Sequence, residues 1–292
     1  MRVAPWHQTN WDWRAAANFM CGGSGTGLML FALFAADTPA TYRVMACLAM
    51  LLVAAGLSCV WLEIGRPWRA LNVFLHPQTS WMTREGMVAP LYFACGAIAV
   101  WQGGEEGLFP ILAAALGLLF LYCQGRILTA SKGIPAWREP KIIALIISTS
   151  LVEGAGLAAL IFTVLPGNTP RWLASLLLGA LILRRLAWTR YKNSLTQKGA
   201  PRKALDTLLG FGVGFDKFGQ ILPGVLVLGT LLFGDGTGAL LALAGLVAFG
   251  AGWSLKFTIV ARAAFNQGFA LPVLPIRGQG KEMPGVKPGW SK

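Results

Sequence analysis

The stretch WLEIGRPWRALNVFLHPQTSWMTRE, residues 61–85, is a dense polar loop between two long apolar runs. Its ionisable side chains include Glu63, Arg66, Arg69, His76 and Arg84, whereas the flanking apolar runs carry almost no charge. The Arg66-Pro67 step predicts a helix end, because the residue before proline is pushed out of the α region. We therefore expect one helix to end and another to begin here, with the chemistry of the protein concentrated between them.

The composition indicates a membrane protein. Of the 292 residues, 55% are hydrophobic and only 13% are charged, which is outside the range of soluble globular domains. The net charge of +13 does not indicate nucleic-acid binding, because the basic residues lie in short loops between apolar runs, where they set membrane orientation. Residues 1–17 have no apolar core, so we expect the first span itself to direct insertion.

Eight apolar runs are long enough to cross about 30 Å of hydrocarbon. They cover residues 14–36, 43–63, 84–102, 108–130, 141–165, 170–190, 216–233 and 237–261. The sequence therefore predicts an all-α membrane protein with eight transmembrane helices, arranged as two four-helix bundles. We place the first bundle in residues 1–130 and the second, with a basic C-terminal tail, in residues 131–292.

Lysine and arginine are distributed unequally between the two faces. With eight spans, nearly all of them lie on the face that bears the N-terminus, whereas Arg43 and Arg171 lie on the other. The positive-inside rule then predicts that both termini are cytoplasmic.

The predicted topology brings the ends of the first four helices to one face. Seven polar residues should converge there: Asn18, Glu63, Arg66, Arg84, Tyr122, Gln124 and Arg126. Tyr122 and Arg126 are spaced i, i+4 and so share a helix face. Glu63 with its neighbouring arginines is either an interfacial ion pair or a carboxylate that exchanges protons with a redox ligand. His76 is either a proton relay or an ordinary surface histidine.

Two further features lie inside spans. The run from Gly22 to Gly27 is interpreted as small-residue helix packing, because it has neither the preceding strand nor the G-K-[ST] ending of a phosphate loop. Glu153 lies near the middle of the fifth predicted span. It is either a proton-path residue or a neutral acid bonded to a neighbouring helix.

The sequence argues against metal cofactors within this chain. Its five cysteines form no C-x-x-C pair, so neither an iron-sulfur cluster nor a zinc site is expected. Its two histidines, His7 and His76, lie outside the spans, so no histidine pair is placed to hold a membrane haem.

Four motifs together resemble a known family. They are W-x-W at Trp11 and Trp13, LEIGRPWRALNVF at residues 62–74, TSWMTRE at 79–85 and GIPAWR at 133–138. They are similar to motifs of the integral membrane anchor subunits of molybdenum-enzyme complexes, the family of the dimethyl sulfoxide reductase, polysulfide reductase and formate-dependent nitrite reductase anchors.

The resemblance implies a haem-free subunit of a bacterial or archaeal cytoplasmic membrane, with a pocket for menaquinone or ubiquinone in the first bundle. It also implies an iron-sulfur partner subunit and a molybdenum or tungsten catalytic subunit. Family members often have His or Asp where this chain has Glu63. Polar residues on the first helix and a tyrosine on the fourth contact the quinone in relatives, and Asn18 and Tyr122 match them. From the residues themselves we predict catalytic roles for Glu63 and Tyr122, quinone binding for Asn18, Arg66, Arg126 and His76, and partner docking for Arg69, Arg84, Lys132 and Arg138.

We therefore expect electron transfer between the partner iron-sulfur cluster and the quinone pool. Because the expected pocket face is also the basic face, the substrate of the complex should be cytoplasmic, such as sulfite or an aromatic acyl-CoA, as in the phenylacetyl-CoA:acceptor oxidoreductases. A secondary transporter, or a structural anchor without quinone chemistry, remains the alternative.

Overall fold

The computed structural model of the protein describes residues 4–35, 38–63, 67–104, 107–165, 169–234, 238–268, 271–274 and 283–286. Helices occupy nearly all of this. Their bounds are α1 Trp13–Ala35, α2 Pro39–Glu63, a 3₁₀ helix Pro67–Leu75, α3 Trp81–Gln102, α4 Leu108–Ala130, α5 Pro135–Arg138, α6 Ile142–Val164, α7 Arg171–Gln197, α8 Arg202–Gly214, α9 Leu222–Phe233 and α10 Gly238–Phe257. Two short antiparallel strands follow, β1 Leu271–Leu274 and β2 Met283–Val286.

Seven helices within the described ranges are long and apolar enough to cross a membrane: α1, α2, α4, α6, α7, the continuous helix Arg202–Phe233, and Gly238–Arg262. The prediction of a helical, multi-pass chain is therefore confirmed. The remaining predicted span, residues 84–102, corresponds to α3, a helix of 22 residues that includes Arg84, Glu85 and Pro90. These residues lower the average apolar character of α3, so the count of eight stays a prediction.

The predicted span 216–233 begins earlier than expected. A π-helical segment, Phe215–Ile221, joins α8 to α9 without a break, so one helix runs from Arg202 to Phe233. Helices tolerate such wider turns, which leave backbone carbonyls available to other partners. Pro223 lies inside this continuous helix and cannot donate to the carbonyl of Gly219, four residues earlier, which accepts from Arg184 instead.

Glycines set the closest helix contacts, as the sequence predicted. A Cβ on Gly25 would lie 2.8 Å from Val53 Cγ2 of α2, and one on Gly22 would lie 2.6 Å from Gln124 Nε2 of α4. A Cβ on Gly27 would overlap the backbone of α6 at Ser150. The glycine-rich face of α1 therefore allows three different helices to approach it closely.

Helix α6 joins the two halves of the chain. It packs against α1 and α4 on one side and against α7 and α10 on the other. At the contact with α10, a Cβ on Gly156 would lie 2.6 Å from the carbonyl oxygen of Gly245. The helix backbones therefore meet directly, without intervening side chains.

The two ends of the helical bundle meet on one side. His7 forms an antiparallel bridge with Phe265, which follows the last helix, and the two rings are in edge contact at 5.1 Å. The Gln8 N–H donates to the carbonyl of Ala264 at 2.9 Å. The N-terminal segment is thus held against the residues that end the bundle.

Candidate functional site

The main candidate site is a cavity of about 490 Å³ near the loop quoted above. It is enclosed by α1, α2, the 3₁₀ helix and α3, through Asn18, Leu57, Val60, Trp61, Trp68, Leu71, Val73, Phe74, Met82, Glu85, Gly86, Ala89, Pro90 and Phe93. Asn18 supplies an amide and Glu85 a carboxyl group, whereas the other lining side chains are aliphatic or aromatic. An apolar cavity with a few convergent polar groups is typical of a site for a flat, largely apolar ligand.

Asn18 and Glu85 form the polar end of this cavity. Both side chains are buried, and Asn18 Nδ2 donates to Glu85 Oε1 at 3.3 Å. Ser80 caps the N-terminus of α3 by accepting from the Thr83 N–H at 3.2 Å, which starts the helix one turn before Glu85. Gln124 of α4 holds α1 in place by donating to the carbonyl of Asn18 at 2.9 Å. Among the described residues, Asn18 Oδ1 is a buried acceptor without a hydrogen-bond partner, so it can receive a donor from a ligand.

A second cavity of about 130 Å³ adjoins the first. Asn18, Val60, Met82 and Glu85 line both cavities, and Glu63 lines the smaller one. Glu63 is the last residue of α2 and is partly exposed. Glu85 thus lies between the large cavity and the smaller one, which Glu63 also lines. The sequence pattern pointed to Glu63 and not to Glu85, although Glu85 ends the motif TSWMTRE at residues 79–85.

Tyr122 and Arg126 belong to a neighbouring cluster around Trp81. The guanidinium carbon of Arg126 lies 4.5 Å from the centre of the Trp81 ring, and that of Arg84 lies 4.1 Å from it. Arg126 also donates to Tyr122 Oη at 3.2 Å. In the part of the chain that the structure describes, Tyr122 and Arg126 line neither cavity. The predicted site residues therefore divide into two adjacent groups.

The remaining residues of the predicted quinone site lie in or next to the loop. His76 is exposed, and its carbonyl accepts from the N–H groups of Thr79 and Ser80. Arg84 closes the same turn by donating to the carbonyls of Pro77 and Gln78 at 2.8 and 2.9 Å. Arg66 and the side chain of Arg69 lie outside the described residues.

The predicted docking residues beyond helix α4 lie near Trp11, which precedes α1, and Gln267, which follows α10. Arg138 donates to the carbonyl of Lys132 at 2.9 Å and to Gln267 Oε1 at 2.7 Å. Trp137 stacks on Trp11 with ring centres 4.6 Å apart and donates to the carbonyl of Ile259 at 2.8 Å. These contacts fix the loop after α4 against the ends of the bundle.

Glu153 belongs to a buried polar network between α1, α6 and α10. Lys256 Nζ lies 2.6 Å from Glu153 Oε2, and neither side chain is exposed. Ser24 donates to Glu153 Oε2 at 2.8 Å, and Trp253 donates to Ser24 Oγ at 2.9 Å. Lys256 also donates to Ser150 Oγ at 2.9 Å. Glu153 is therefore bonded to Lys256 of α10 and Ser24 of α1, and its role in a proton path stays a prediction.

Arg184 of α7 is a second fully buried cation that the sequence analysis did not single out. It donates to the carbonyl of Ala248 at 3.0 Å and to the carbonyl of Gly219 in the π-helical segment. Its guanidinium carbon lies 5.2 Å from the ring centre of Phe215. Charged residues inside apolar spans were the available signal for Arg184 and Lys256. Among the described residues, no group of three or more His, Cys, Asp or Glu side chains is placed to hold a metal.

Long apolar helices around a cavity with an amide and a carboxyl at one end define a multi-pass membrane protein with a candidate ligand site. A model of one family, described as the DMSO reductase anchor subunit (DmsC), matches residues 17–198. The chain belongs to this family, as its motifs had indicated. It is also similar to a subunit of the sulfite dehydrogenase of Allochromatium vinosum, with 31% identity over 136 residues, or 40% of this chain and 42% of that protein. The chain thus matches less than half the length of this relative.

Proposed function

We propose that this protein is the quinone-reactive membrane anchor of a multi-subunit oxidoreductase and exchanges electrons between a partner iron-sulfur cluster and menaquinone or ubiquinone. The observation that supports this most is the 490 Å³ apolar cavity with Asn18 and Glu85 at its polar end. A quinone ring needs an apolar slot, donors to its carbonyl oxygens and a group that exchanges protons. We assign the slot to this cavity, the donor to the Asn18 amide and the proton exchange to Glu85.

In this proposal, Asn18 and Glu85 orient the ring oxygens. Glu85 gives or takes the proton at one of them, because a carboxyl within hydrogen-bond reach can act as a general acid or base. Glu63 lines the smaller cavity of about 130 Å³, which Glu85 also lines. It relays protons between Glu85 and the basic face. Tyr122 and Arg126, held on Trp81, form a second polar group beside the site. Arg66 and His76 are proposed contacts from the loop.

The positions of the chain ends support α3 as an eighth span. The residues before α1 pair with those after α10, so the first and last spans begin and end on one side. That arrangement needs an even number of crossings, and α3 supplies the eighth. Residues 1–130 and 131–292 then form two four-helix bundles joined through α6. By the positive-inside rule, the face with the loop and both termini is cytoplasmic.

That face would also dock the partner subunits. Arg69, Arg84, Lys132 and Arg138 are the proposed contacts for an iron-sulfur subunit, which in turn carries a molybdenum or tungsten catalytic subunit. Membership in an anchor-subunit family supports such partners. Arg84 and Arg138 are already held by backbone carbonyls, so little side-chain freedom is lost when a partner binds.

We propose sulfite as the substrate of the complex, on the basis of the similarity to a sulfite dehydrogenase subunit. Sulfite and water give sulfate, two protons and two electrons, and the quinone takes up two electrons and two protons. An aromatic acyl-CoA, oxidised on the same cytoplasmic side, is the alternative substrate. Quinone reduction with protons from that side leaves the step electroneutral, unless Glu153 and its network provide a proton path across the second half.

The test is quinone reduction by the complex purified through this chain. Sulfite should reduce a short-chain quinone, and an inhibitor that competes for the cavity should block the reaction while leaving reduction of an artificial dye intact. If neither quinone binding nor inhibition is detected while dye reduction persists, the chain is a structural anchor. Substrate uptake into liposomes without partner subunits would instead indicate a transporter.

A further inference from the structure

Pro90 interrupts the hydrogen bonding of α3 beside the cavity. Proline has no backbone N–H, so the carbonyl of Gly86, four residues earlier, lacks the donor that a continuous helix would supply. Gly86 and Pro90 both line the 490 Å³ cavity. Because glycine has no side chain, Gly86 contributes only backbone atoms to the cavity wall.

The surroundings of Gly86 are apolar. A Cβ at this position would lie 3.3 Å from Val73 Cγ1 and 3.7 Å from Phe74 Cε1, so the 3₁₀ helix packs directly over the glycine. Gly86 lines an apolar cavity, where a backbone carbonyl without a donor is costly, and a ligand that donates to it gains more than it would in water.

The position of this carbonyl matches the course of the cavity. Helix carbonyls point toward the C-terminus, so the Gly86 oxygen is directed from the turn of Glu85 toward the turn of Pro90. The lining continues along α3 from Glu85 to Phe93, about 12 Å at the rise of an α-helix. Gly86 therefore lines the cavity directly beside Glu85, next to the polar end that a ligand would contact.

We infer that the Gly86 carbonyl, left without its helical partner by Pro90, is a hydrogen-bond acceptor that selects the hydroquinone over the quinone. This inference rests on the proposed quinone function. A hydroquinone has two hydroxyl donors, whereas the oxidised ring has only carbonyl acceptors, which a second carbonyl cannot bind. Tighter binding of the reduced form also raises the reduction potential of the bound couple above that of the free couple.

Pro90→Ala tests the inference, because alanine restores the N–H and lets the helix satisfy the Gly86 carbonyl. We expect hydroquinone to bind about fivefold more weakly, which corresponds to the loss of one ordinary hydrogen bond. The affinity for the oxidised quinone should not change. Pro90→Gly restores the same N–H with a smaller side chain, so it separates hydrogen bonding from packing. Pro110→Ala is the matched control, because Pro110 lies in the first turn of α4, where the helix has no carbonyl for the restored N–H.

The full chain with its co-purifying subunits would be titrated with a short-chain naphthoquinone and its hydroquinone, and tryptophan fluorescence would report binding at Trp61 and Trp68. A fall in hydroquinone affinity in both Pro90 variants, with quinone affinity and the control unchanged, supports the inference. Equal affinities for both forms in wild type and Pro90 variants overturn it while the quinone site stands. If the wild type binds neither form, the proposed function fails as well.

Discussion

Lys256 Nζ on α10 lies 2.6 Å from Glu153 Oε2 on α6, and both side chains are fully buried. Two glycines make room for this pair. A Cβ on Gly23 would overlap Lys256 Nζ, and one on Gly252 would lie 2.5 Å from Glu153 Oε1. The pair therefore joins the two halves of the chain at the point where α1, α6 and α10 meet.

Removing one partner of this pair should destabilise the protein strongly. Lys256→Met leaves Glu153 buried without a counter-charge, and such losses cost about 3–5 kcal/mol. The double variant Lys256→Met with Glu153→Gln should recover much of the loss, because no charge is left unpaired. Thermal unfolding in detergent measures this. Equal destabilisation in single and double variants would show that the two charges do not interact.

Glu153→Gln also tests the proton-path proposal. If Glu153 conducts protons, the amide should reduce proton movement across liposome membranes during turnover more than it reduces electron transfer. If the carboxylate only pairs with Lys256, electron transfer and proton movement should fall together with protein stability. Parallel measurement of quinone reduction and external pH separates the two roles.

Glu85→Gln should lower quinone-linked turnover by roughly 10²-fold, because the amide cannot exchange a proton with the ligand. Dye reduction by the partner subunits should persist. Met87→Leu, an exposed position on the same helix, is the control. Wild-type quinone kinetics in Glu85→Gln would show that this carboxyl has no part in the reaction.

Glu63→Gln and Tyr122→Phe separate the two groups of predicted site residues. If protons pass from Glu85 through the small cavity, Glu63→Gln should slow turnover with little change in quinone affinity. Tyr122→Phe removes the hydroxyl oxygen that accepts a hydrogen bond from Arg126. It should lower turnover if the cluster around Trp81 contacts the quinone ring. Unchanged steady-state kinetics in Tyr122→Phe would limit the site to the cavity between α1 and α3.

The pair of Glu139 and Lys198 should make stability depend on pH. Burial alone would raise the pKa of Glu139, but hydrogen bonds from Lys198 and Ser194, together with the Lys198 charge, lower it below its usual value. A lowered folded pKa stabilises the protein above the unfolded pKa of about 4.3, and the effect is lost as pH falls through the folded value. Lys198→Met should therefore lower the melting temperature at neutral pH and match wild type in acid, whereas exposed Lys203→Met should change neither.

Glycine contacts give a test of the helix packing. Gly154→Ala places a Cβ into the backbone of α1 at Gly27 and should prevent stable assembly of the bundle. Gly179→Ala on α7 has no atom within 4 Å of the added carbon and is the matched control. Similar expression and melting temperature of the two variants would contradict direct backbone contact between α1 and α6.

Several features could be predicted from the sequence because they depend on local pattern. Apolar run lengths predicted the helices, and the glycines of residues 22–27 predicted close packing. The motifs around residues 62–85 indicated the anchor-subunit family before any comparison. The predicted start of the seventh span, residue 216, was too late, because the helix begins at Arg202. The hydropathy pattern indicates a boundary near residue 216, but a π-helical segment continues α8 into α9 there.

The pairing of distant residues could not be predicted in the same way. Glu153 and Lys256 are 103 positions apart, and Asn18 and Glu85 are 67 apart, so no local pattern connects them. Composition and run length alone determined that this is a helical membrane protein, because transfer of apolar side chains from water depends on each segment separately. Only the tertiary structure decided which carboxyl lies at the cavity and which one is paired with a cation, because those roles depend on helix rotation and packing across the bundle.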